Sequence, residues 1–384
     1  MKQQQRNKLN TEIIGVIGRA LRISVSNPAL ALFFLKALFR QRRAALRRER
    51  LEEEGIHVPP FMIASITRRC NLHCSGCYSR AQGRADHGEI SIERLDNLMD
   101  EARDLGFAFA LLAGGEPLTR PEILDVTARH PQIIYPLFTN GTLLTDTTAA
   151  RLKRQKNVIP VLSVEGYQRE TEARRGNGVY DRLLRAMNCL QENRIFFGIS
   201  ITVTRANLDL VTSQSFARRF AGHGCRLFFY VEYIPVQEGS EQLVISTAQR
   251  ELLEERMREL RRRFRGVFIS FPGDEKSYGG CLAAGRGFVH ISPEGGLEPC
   301  PFVPYSDTNL QKTTLKQGLS SSFLNRIRAS EEHLEENEGG CALWNKRAWV
   351  QSLLVHSGAE IAGLARGSID SENDQIRPVG IVAG

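Results

Sequence analysis

Residues 61–77 have the sequence FMIASITRRCNLHCSGC, an apolar run followed at once by three closely spaced cysteines. The apolar run predicts a β-strand, because it is short and follows the chain-breaking pair Pro59-Pro60. The loop after it holds Cys70, Cys74 and Cys77 in the spacing C-x3-C-x2-C. Three thiols so close in sequence predict a metal site at the end of the first strand.

The spacing of this triplet favours an iron–sulfur cluster over zinc. Three thiolates can hold three irons of a [4Fe–4S] cubane and leave the fourth iron open. An open position distinguishes a chemically active metal site from a closed structural one. Zinc, with His73 as a fourth ligand, is the alternative, but Cys₃His zinc sites usually pair two cysteine dyads far apart in sequence.

Strands and helices alternate from the cysteine loop to about residue 240. Ser91 is a predicted helix N-cap, and each apolar run is followed by a helical segment, which indicates βαβ units and a parallel sheet. The predicted fold class is α/β: a partial (β/α)6 TIM-like barrel with a small C-terminal α+β module and an N-terminal helical basic arm. The strands predicted after the first are 107–113, 133–138, 158–164, 196–204 and 227–234.

Composition divides the 384 residues into four segments. Residues 1–55 form a predicted basic amphipathic arm, 56–275 the barrel, 276–355 a module rich in Gly, Pro and Cys, and 356–384 a tail without a clear pattern. The net charge is +8, but residues 1–50 alone hold twelve Lys or Arg against two Glu, so the remainder is close to neutral. The basic charge therefore belongs to the arm, and we expect no nucleic-acid partner.

The arm has two interpretations. Its most apolar stretch, residues 28–39, is too short to span a bilayer, which needs roughly 20 apolar residues. Phe33, Phe34 and Phe39 beside several Arg and Lys predict either a membrane-surface helix or an arm packed on protein with a solvated basic face. Residues 1–12 are too polar for a signal peptide, so we expect a reducing, cytoplasmic location with peripheral membrane association as an option.

The motifs after the cysteine loop resemble those of the radical S-adenosylmethionine (SAM) superfamily, in the family's order. They are Gly114-Gly115-Glu116-Pro117 after the second strand, Thr139-Asn140-Gly141 after the third, Ser163 in the fourth and Gly198-Ile199-Ser200-Ile201 in the fifth. Barrel enzymes place their active sites at the carboxyl ends of such strands. The resemblance implies a [4Fe–4S] cluster on the cysteine triplet, with SAM bound to its open iron.

The resemblance also implies roles for these residues. The glycine segment would bind the methionyl amine, with the Glu116 carboxylate accepting from the ammonium group. Ser163 and Ser200 would bind ribose or the methionyl carboxylate, and Tyr78 stands beside Gly76, where many members carry an aromatic residue. The cofactor-binding set is thus Gly114, Gly115, Glu116, Pro117, Asn140, Ser163, Gly198 and Ser200.

The implied chemistry is reductive cleavage of SAM to a 5′-deoxyadenosyl radical, which abstracts hydrogen from a substrate. A reductant such as flavodoxin or ferredoxin would supply the electron, and the substrate would be a peptide or a small molecule, a lipid among the options. The alternative is a non-catalytic iron–sulfur protein that transfers electrons or senses redox state. The glycine motifs argue against that alternative.

A second cysteine group, Cys281, Cys300 and Cys341, lies in the C-terminal module. It resembles the family's SPASM or twitch extension, which holds a second, auxiliary [4Fe–4S] cluster, although the last cysteine position is occupied by Trp344. The fourth ligand would be His290, His333, a carboxylate or bound substrate. Zinc, or no metal at all, is the alternative.

The remaining candidates carry weaker signals. Cys189 and Cys225 lie at apolar positions and are predicted to be structural. Weak candidates for substrate contact are Glu232, Tyr233 and the segment Arg174-Arg175-Gly176, and Glu232 is as readily explained as an internal salt-bridge partner.

Overall fold

The computed structural model describes residues 1–82, 88–273, 275–335 and 341–355; the predicted tail lies outside these residues. Its nine strands, in chain order, are β1 Phe61–Ser65, β2 Phe109–Ala113, β3 Tyr135–Thr139, β4 Val158–Val164, β5 Gly198–Val203, β6 Leu227–Glu232, β7 Val267–Phe271, β8 Phe288–Ile291 and β9 Leu297–Glu298.

Sixteen helices occur in the described part of the chain, and they alternate with strands β1 to β7. The predicted N-cap is confirmed, since the Ser91 hydroxyl accepts a hydrogen bond from Arg94 N. The helices are α1 Gln3–Ile23, α2 Pro28–Glu53, α3 Tyr78–Ala81, α4 Ile92–Leu105, α5 Ile123–Arg129, α6 Asp146–Arg154, α7 Gln168–Arg175, α8 Val179–Glu192, α9 Leu208–Val211, α10 Gln214–Gly222, α11 Thr247–Arg263, α12 Leu315–Leu319, α13 Ser322–Ala329, α14 Glu331–Leu334, α15 Ala342–Asn345 and α16 Arg347–Val355.

The strands form one sheet in the order β7-β6-β5-β4-β3-β2-β1-β8-β9, in which β1 to β8 are parallel and β9 is antiparallel. This curled sheet confirms the predicted α/β partial barrel. It also contains a seventh parallel strand, β7, that the sequence analysis did not assign. The C-terminal module does not stand apart from the barrel, because its strand β8 hydrogen-bonds to the edge of β1.

The two faces of the sheet differ in burial. Residues that point outward, such as Met62, Leu112 and Ile201, are fully buried under the helices. The concave face is half-exposed and mostly apolar, and the acidic residue Glu298 that β9 contributes to it is buried against His290. Its half-exposed side chains are Phe61, Phe109, Leu111, Ala113, Phe138, Ser163, Thr202, Val231, Ile269 and Phe271.

The arm forms a helical hairpin, α1 and α2, at the amino ends of the strands. The Arg48 guanidinium donates to Gly106 O just before β2, and Arg40 donates to Pro131 O just before β3. The Phe34 ring meets Phe196 just before β5, with centroids 5.3 Å apart. The arm thus covers the end of the barrel opposite the cysteine loop.

None of the described helices combines the length and the hydropathy that a bilayer-spanning segment needs.

Candidate functional site

The cysteine triplet lies in the loop between β1 and α3, where all three side chains are half-buried. Cys77 is the N-cap residue of α3, and Leu72 N–H approaches the Cys70 Sγ at 3.4 Å. Burial, with a smaller contribution from Glu116, raises the pKa of the Cys70 thiol. The loop therefore presents three free thiols within eight residues at the carboxyl end of β1.

The glycine segment after β2 packs directly against the strand that leads into this loop. Gly115 N–H donates to Thr67 O (2.7 Å) and Glu116 N–H donates to Arg69 O (2.8 Å). Gly114 has φ +124°, and a Cβ there would lie 2.5 Å from Thr67 O. Only glycine allows this approach of the two backbones, so the segment sets the position of the cysteine loop.

Glu116 lies beneath the loop and is only 1% exposed. Its carboxylate accepts hydrogen bonds from Thr139 Oγ1 (2.8 Å), Asn140 N (2.7 Å) and Leu118 N (3.1 Å). Burial raises its pKa, and these hydrogen bonds oppose the rise. Because both oxygens are already used, the observed contacts are those of a residue that fixes the end of β3. Its role as an acceptor for a ligand ammonium stays a prediction.

Asn140 joins the end of β3 to the cysteine loop. Its Nδ2 donates to Asn71 Oδ1 (2.9 Å) and lies 3.9 Å from the Cys70 Sγ. The structure thus brings together Cys70, the glycine segment and Asn140, as predicted from their places after successive strands. Pro117 is buried and begins a short 3-10 turn directly after the glycine segment.

Ser163 and Ser200 are paired in register on β4 and β5 and share the concave face of the sheet. Gly198 differs, because it is the first residue of β5 and lies at the amino end of that strand, away from the cysteine loop. A Cβ at Gly198 would lie 2.6 Å from Leu227 Cβ and closer still to Leu227 O. This glycine therefore serves the packing of β5 on β6, and its contact with the cofactor stays a prediction.

A buried ion-pair network that the sequence analysis did not assign holds the cysteine loop from the other side. Glu165, 3% exposed at the end of β4, accepts from Arg174 (2.9 Å) and Arg175 (2.5 Å). Arg174 Nε donates to Ser75 O (3.1 Å), and Ser75 N–H donates to Arg174 O (2.9 Å). Burial lowers the pKa of Arg175, but Glu165 and the neighbouring thiols outweigh it and raise the pKa above its usual value.

Tyr233 supplies an aromatic ring beside Gly76. Gly76 has φ +65°, and a Cβ there would lie 3.2 Å from the Tyr233 hydroxyl oxygen. That hydroxyl is buried without a hydrogen-bond partner in the described structure. Tyr78, expected from sequence to take this place, turns instead to Phe302, with ring centroids 5.4 Å apart.

The second cysteine group is assembled at the same end of the barrel. The Cys281 and Cys300 thiols lower the pKa of Cys341, and Cys341 helps to raise the pKa of Cys281. Cys341 is the N-cap residue of α15, but its side chain makes no capping hydrogen bond there. The three cysteines line one cavity.

The remaining predicted ligands do not join this group. The His290 ring is held on both sides, by the Ser65 hydroxyl (2.8 Å) and by Glu298 (2.7 Å). The His333 ring stacks on Trp349, with centroids 4.1 Å apart. Cys225 is buried and Cys189 contacts Asp146 (3.5 Å), outside both cysteine groups.

Both cysteine groups offer three thiols as donors. Within the described ranges, no three His, Cys, Asp or Glu side chains converge on one point as ligands of one metal ion. The ligands of a cubane need not converge in this way, because each thiolate binds its own iron. The thiol donors and the Leu72 N–H directed at the Cys70 Sγ are compatible with a [4Fe–4S] cluster on the first group.

Comparison with known proteins identifies the family. Residues 64–209 match the model of the radical SAM superfamily. The AdoMet-dependent heme synthase of Methanosarcina barkeri is 27% identical over 74% of this chain and 89% of its own length. A mycofactocin maturase of Mycobacterium tuberculosis is 25% identical over 75% of this chain and 80% of its own length.

Solved structures show the same fold. SuiB of Streptococcus suis, in a crystal structure with S-adenosylmethionine, superposes with a TM-score of 0.62 at 18% identity and covers 77% of this chain and 73% of its own. The family match covers the cysteine loop, the glycine segment, Asn140 and both serines. On this match and these relatives, residues 64–209 form a radical SAM domain and the chain is an enzyme.

Proposed function

We propose that this enzyme cleaves SAM reductively at a [4Fe–4S] cluster held by Cys70, Cys74 and Cys77. When bound, the cluster and SAM supply a 5′-deoxyadenosyl radical that abstracts hydrogen from the substrate. The observation that carries the proposal is the packing of the glycine segment 114–116 and Asn140 against the loop that presents the three thiols. A small electron-transfer protein such as flavodoxin or ferredoxin is the proposed reductant.

Replacement of Cys74 with alanine should abolish SAM cleavage, because two thiolates do not hold the site-differentiated cluster. The measurement is 5′-deoxyadenosine formed by anaerobically reconstituted, reduced enzyme, with dithionite or reduced flavodoxin as electron donor. The matched control is Cys189→Ala, since Cys189 lies outside both cysteine groups. If wild type forms no more 5′-deoxyadenosine than Cys74→Ala does, the proposed cleavage of SAM is refuted.

We further propose an auxiliary [4Fe–4S] cluster on Cys281, Cys300 and Cys341. The three cysteines line one cavity, and the Cys281 and Cys300 thiols lower the pKa of Cys341, which supports this proposal. Tyr78 is the residue after Cys77, and Phe302 lies two residues after Cys300. The contact between these two rings therefore joins the segments that carry the two cysteine groups. A second cluster there is suited to accept an electron from the substrate or to bind it.

The auxiliary cluster makes the iron content a direct prediction. Reconstituted wild type should hold about eight irons per chain, and the triple variant Cys281→Ala, Cys300→Ala, Cys341→Ala should retain about four. Iron and acid-labile sulfide analysis measures both. Cys225→Ala serves as the control for loss of a buried cysteine. An iron content that does not change in the triple variant would show that the auxiliary cluster does not exist.

The substrate class remains a peptide or a small molecule. The relatives point to both, since one is named a heme synthase, another a mycofactocin maturase, and SuiB was solved with its precursor peptide. The concave face is lined by aromatic and aliphatic side chains, with Phe138 and Phe229 5.3 Å apart. We expect the reacting part of the substrate to be apolar, and a co-crystal structure with a charged group bound deep in this face would contradict it.

Peripheral membrane binding by α2 is the third part of the proposal. The exposed large hydrophobic side chains of the described residues all lie in the arm, and four of them, Leu32, Leu35, Phe39 and Leu46, fall on α2. At 3.6 residues per turn these four occupy an arc of roughly 60°. Exposed Lys36, Arg42 and Arg43 flank this α2 stripe, which suits an anionic lipid surface.

The position of the α2 stripe affects the choice of substrate. The stripe belongs to the hairpin at the amino ends of the strands, whereas the cysteine loop lies at their carboxyl ends. Strands of five to seven residues place roughly 17–23 Å between these ends. An enzyme docked by α2 would therefore open its active site away from the bilayer, which disfavours direct uptake of a membrane-embedded lipid.

Introducing two charges into the α2 stripe, Leu32→Glu with Phe39→Glu, should reduce vesicle binding at least tenfold. The measurement is co-sedimentation with phosphatidylcholine vesicles containing phosphatidylglycerol, and wild-type binding should weaken as salt screens the basic residues. The charge-matched control is Lys312→Glu, an exposed site elsewhere that changes the net charge by the same two units. If wild type does not sediment with anionic vesicles, the membrane proposal fails.

A further inference from the structure

A buried carboxylate, Glu232, lines the cavity around the second cysteine group. This cavity lies between the ends of β6 and β7 and the C-terminal module, and Cys281, Cys300, Cys341, Glu232 and Glu275 are among its lining residues. Glu232 is the last residue of β6 and is 3% exposed. Its charge interacts with that of Cys341.

The two oxygens of Glu232 have different surroundings. Oε2 accepts two hydrogen bonds from Arg250, at 2.9 Å from Nε and 2.7 Å from Nη2. Oε1 is buried and has no hydrogen-bond partner in the described structure. A buried oxygen without a partner is energetically costly, because it has lost its hydrogen bonds to water, so it calls for an explanation.

We infer that Glu232 Oε1 is the fourth protein ligand of the auxiliary cluster. The inference rests on the proposed auxiliary cluster and adds the ligand that three cysteines leave open. Ion pairing with Arg250 through Oε2 is how proteins commonly orient a ligating carboxylate, since outer hydrogen bonds fix the direction of the metal-binding oxygen. A closed cluster of this kind serves electron transfer and does not bind substrate directly.

The other candidate ligands are accounted for by their own contacts. His290 is bound on both nitrogens by Ser65 and Glu298, and His333 stacks on Trp349. Glu275 lines the same cavity, but its Oε1 accepts from Leu282 N–H at 3.2 Å. Glu275→Gln is therefore the matched control for Glu232→Gln.

The experiment isolates the auxiliary cluster. Cys70, Cys74 and Cys77 are replaced together by alanine, so that a reconstituted chain carries only the second cluster. In this parent, about four irons and an EPR signal that added imidazole does not change are expected. Glu232→Gln should open the fourth iron: imidazole should shift the EPR signal, and mild oxidation should convert it to a three-iron signal. Glu275→Gln should behave as the parent.

Three results would overturn the inference. An imidazole-sensitive parent would show that the fourth iron is already open, and an unchanged Glu232→Gln variant would show that Glu232 is not bound to it. A parent without iron would refute the auxiliary cluster itself, which is a distinct result. Because Glu232→Gln removes the carboxylate charge that Arg250 pairs with, the double variant Glu232→Gln with Arg250→Gln is measured beside it, and circular dichroism verifies that both fold.

Discussion

Replacing Gly115 with alanine should reduce 5′-deoxyadenosine formation roughly a hundredfold while leaving most of the fold intact. A Cβ at this position would lie 2.6 Å from Arg68 O and closer still to Arg69 O, both in the backbone that leads into Cys70. These oxygens belong to main chain and cannot rotate away as a side chain would. The collision therefore has to move the segment 68–70, and with it the first cysteine of the triplet.

The expected size of the effect follows from the required geometry. Moving a reacting group by about 1 Å costs roughly a hundredfold in rate, and overpacking costs about 1–3 kcal/mol of folding free energy. Iron content, SAM binding and the rate of 5′-deoxyadenosine formation should therefore fall much more than the unfolding midpoint.

Gly18→Ala is the matched control for Gly115→Ala. Nothing lies within 4 Å of a Cβ at Gly18, which is inside α1. Alanine there should stabilise the helix by about 0.5–1 kcal/mol and leave activity unchanged. If Gly115→Ala retains wild-type activity and iron, the close contact of the glycine segment does not position the cysteine loop.

The assembly of Cys70, Gly114 and Asn140 was predictable from the sequence for a topological reason. Each of these residues directly follows an apolar run that forms a parallel strand, and the carboxyl ends of parallel strands meet at one edge of a sheet. Knowing the alternation of strands and helices was therefore enough to bring the three together. No knowledge of side-chain contacts was needed.

Other parts of the site depend on register and on contacts between distant segments. The packing role of Gly198 has no signal in its motif, because the close approach to Leu227 depends on the pairing of β5 with β6. Arg174 and Arg175 were considered for substrate contact, whereas the turn of α7 directs both to Glu165. A sequence signal that could have indicated this ion pairing is an acidic residue directly after a strand, followed by two basic residues at the end of the next helix. The approach of Tyr233 to Gly76 has no local signal.

Glu165→Gln should destabilise the protein by about 3–5 kcal/mol and release the cysteine loop. Removing one partner of a buried ion pair leaves the other charge uncompensated, and here two guanidinium groups depend on one carboxylate that is 3% exposed. Arg174 also donates to Ser75 O, between Cys74 and Cys77. Weakening the Glu165 network should therefore make the backbone between Cys74 and Cys77 less rigid.

Two measurements separate the stability effect from the effect on the loop. Urea unfolding of the apoprotein should give the loss in free energy, and the rate of iron release to a chelator from the reconstituted enzyme should increase. The control is Asp209→Asn, which removes the partner of Arg256 but at a carboxylate that is 85% exposed, so that the expected loss is below about 1 kcal/mol. If both variants lose the same small amount and release iron at the wild-type rate, the Glu165 network does not hold the loop. A large loss of stability with an unchanged rate of iron release would instead show that the Glu165 network stabilises the barrel but does not hold the cysteine loop.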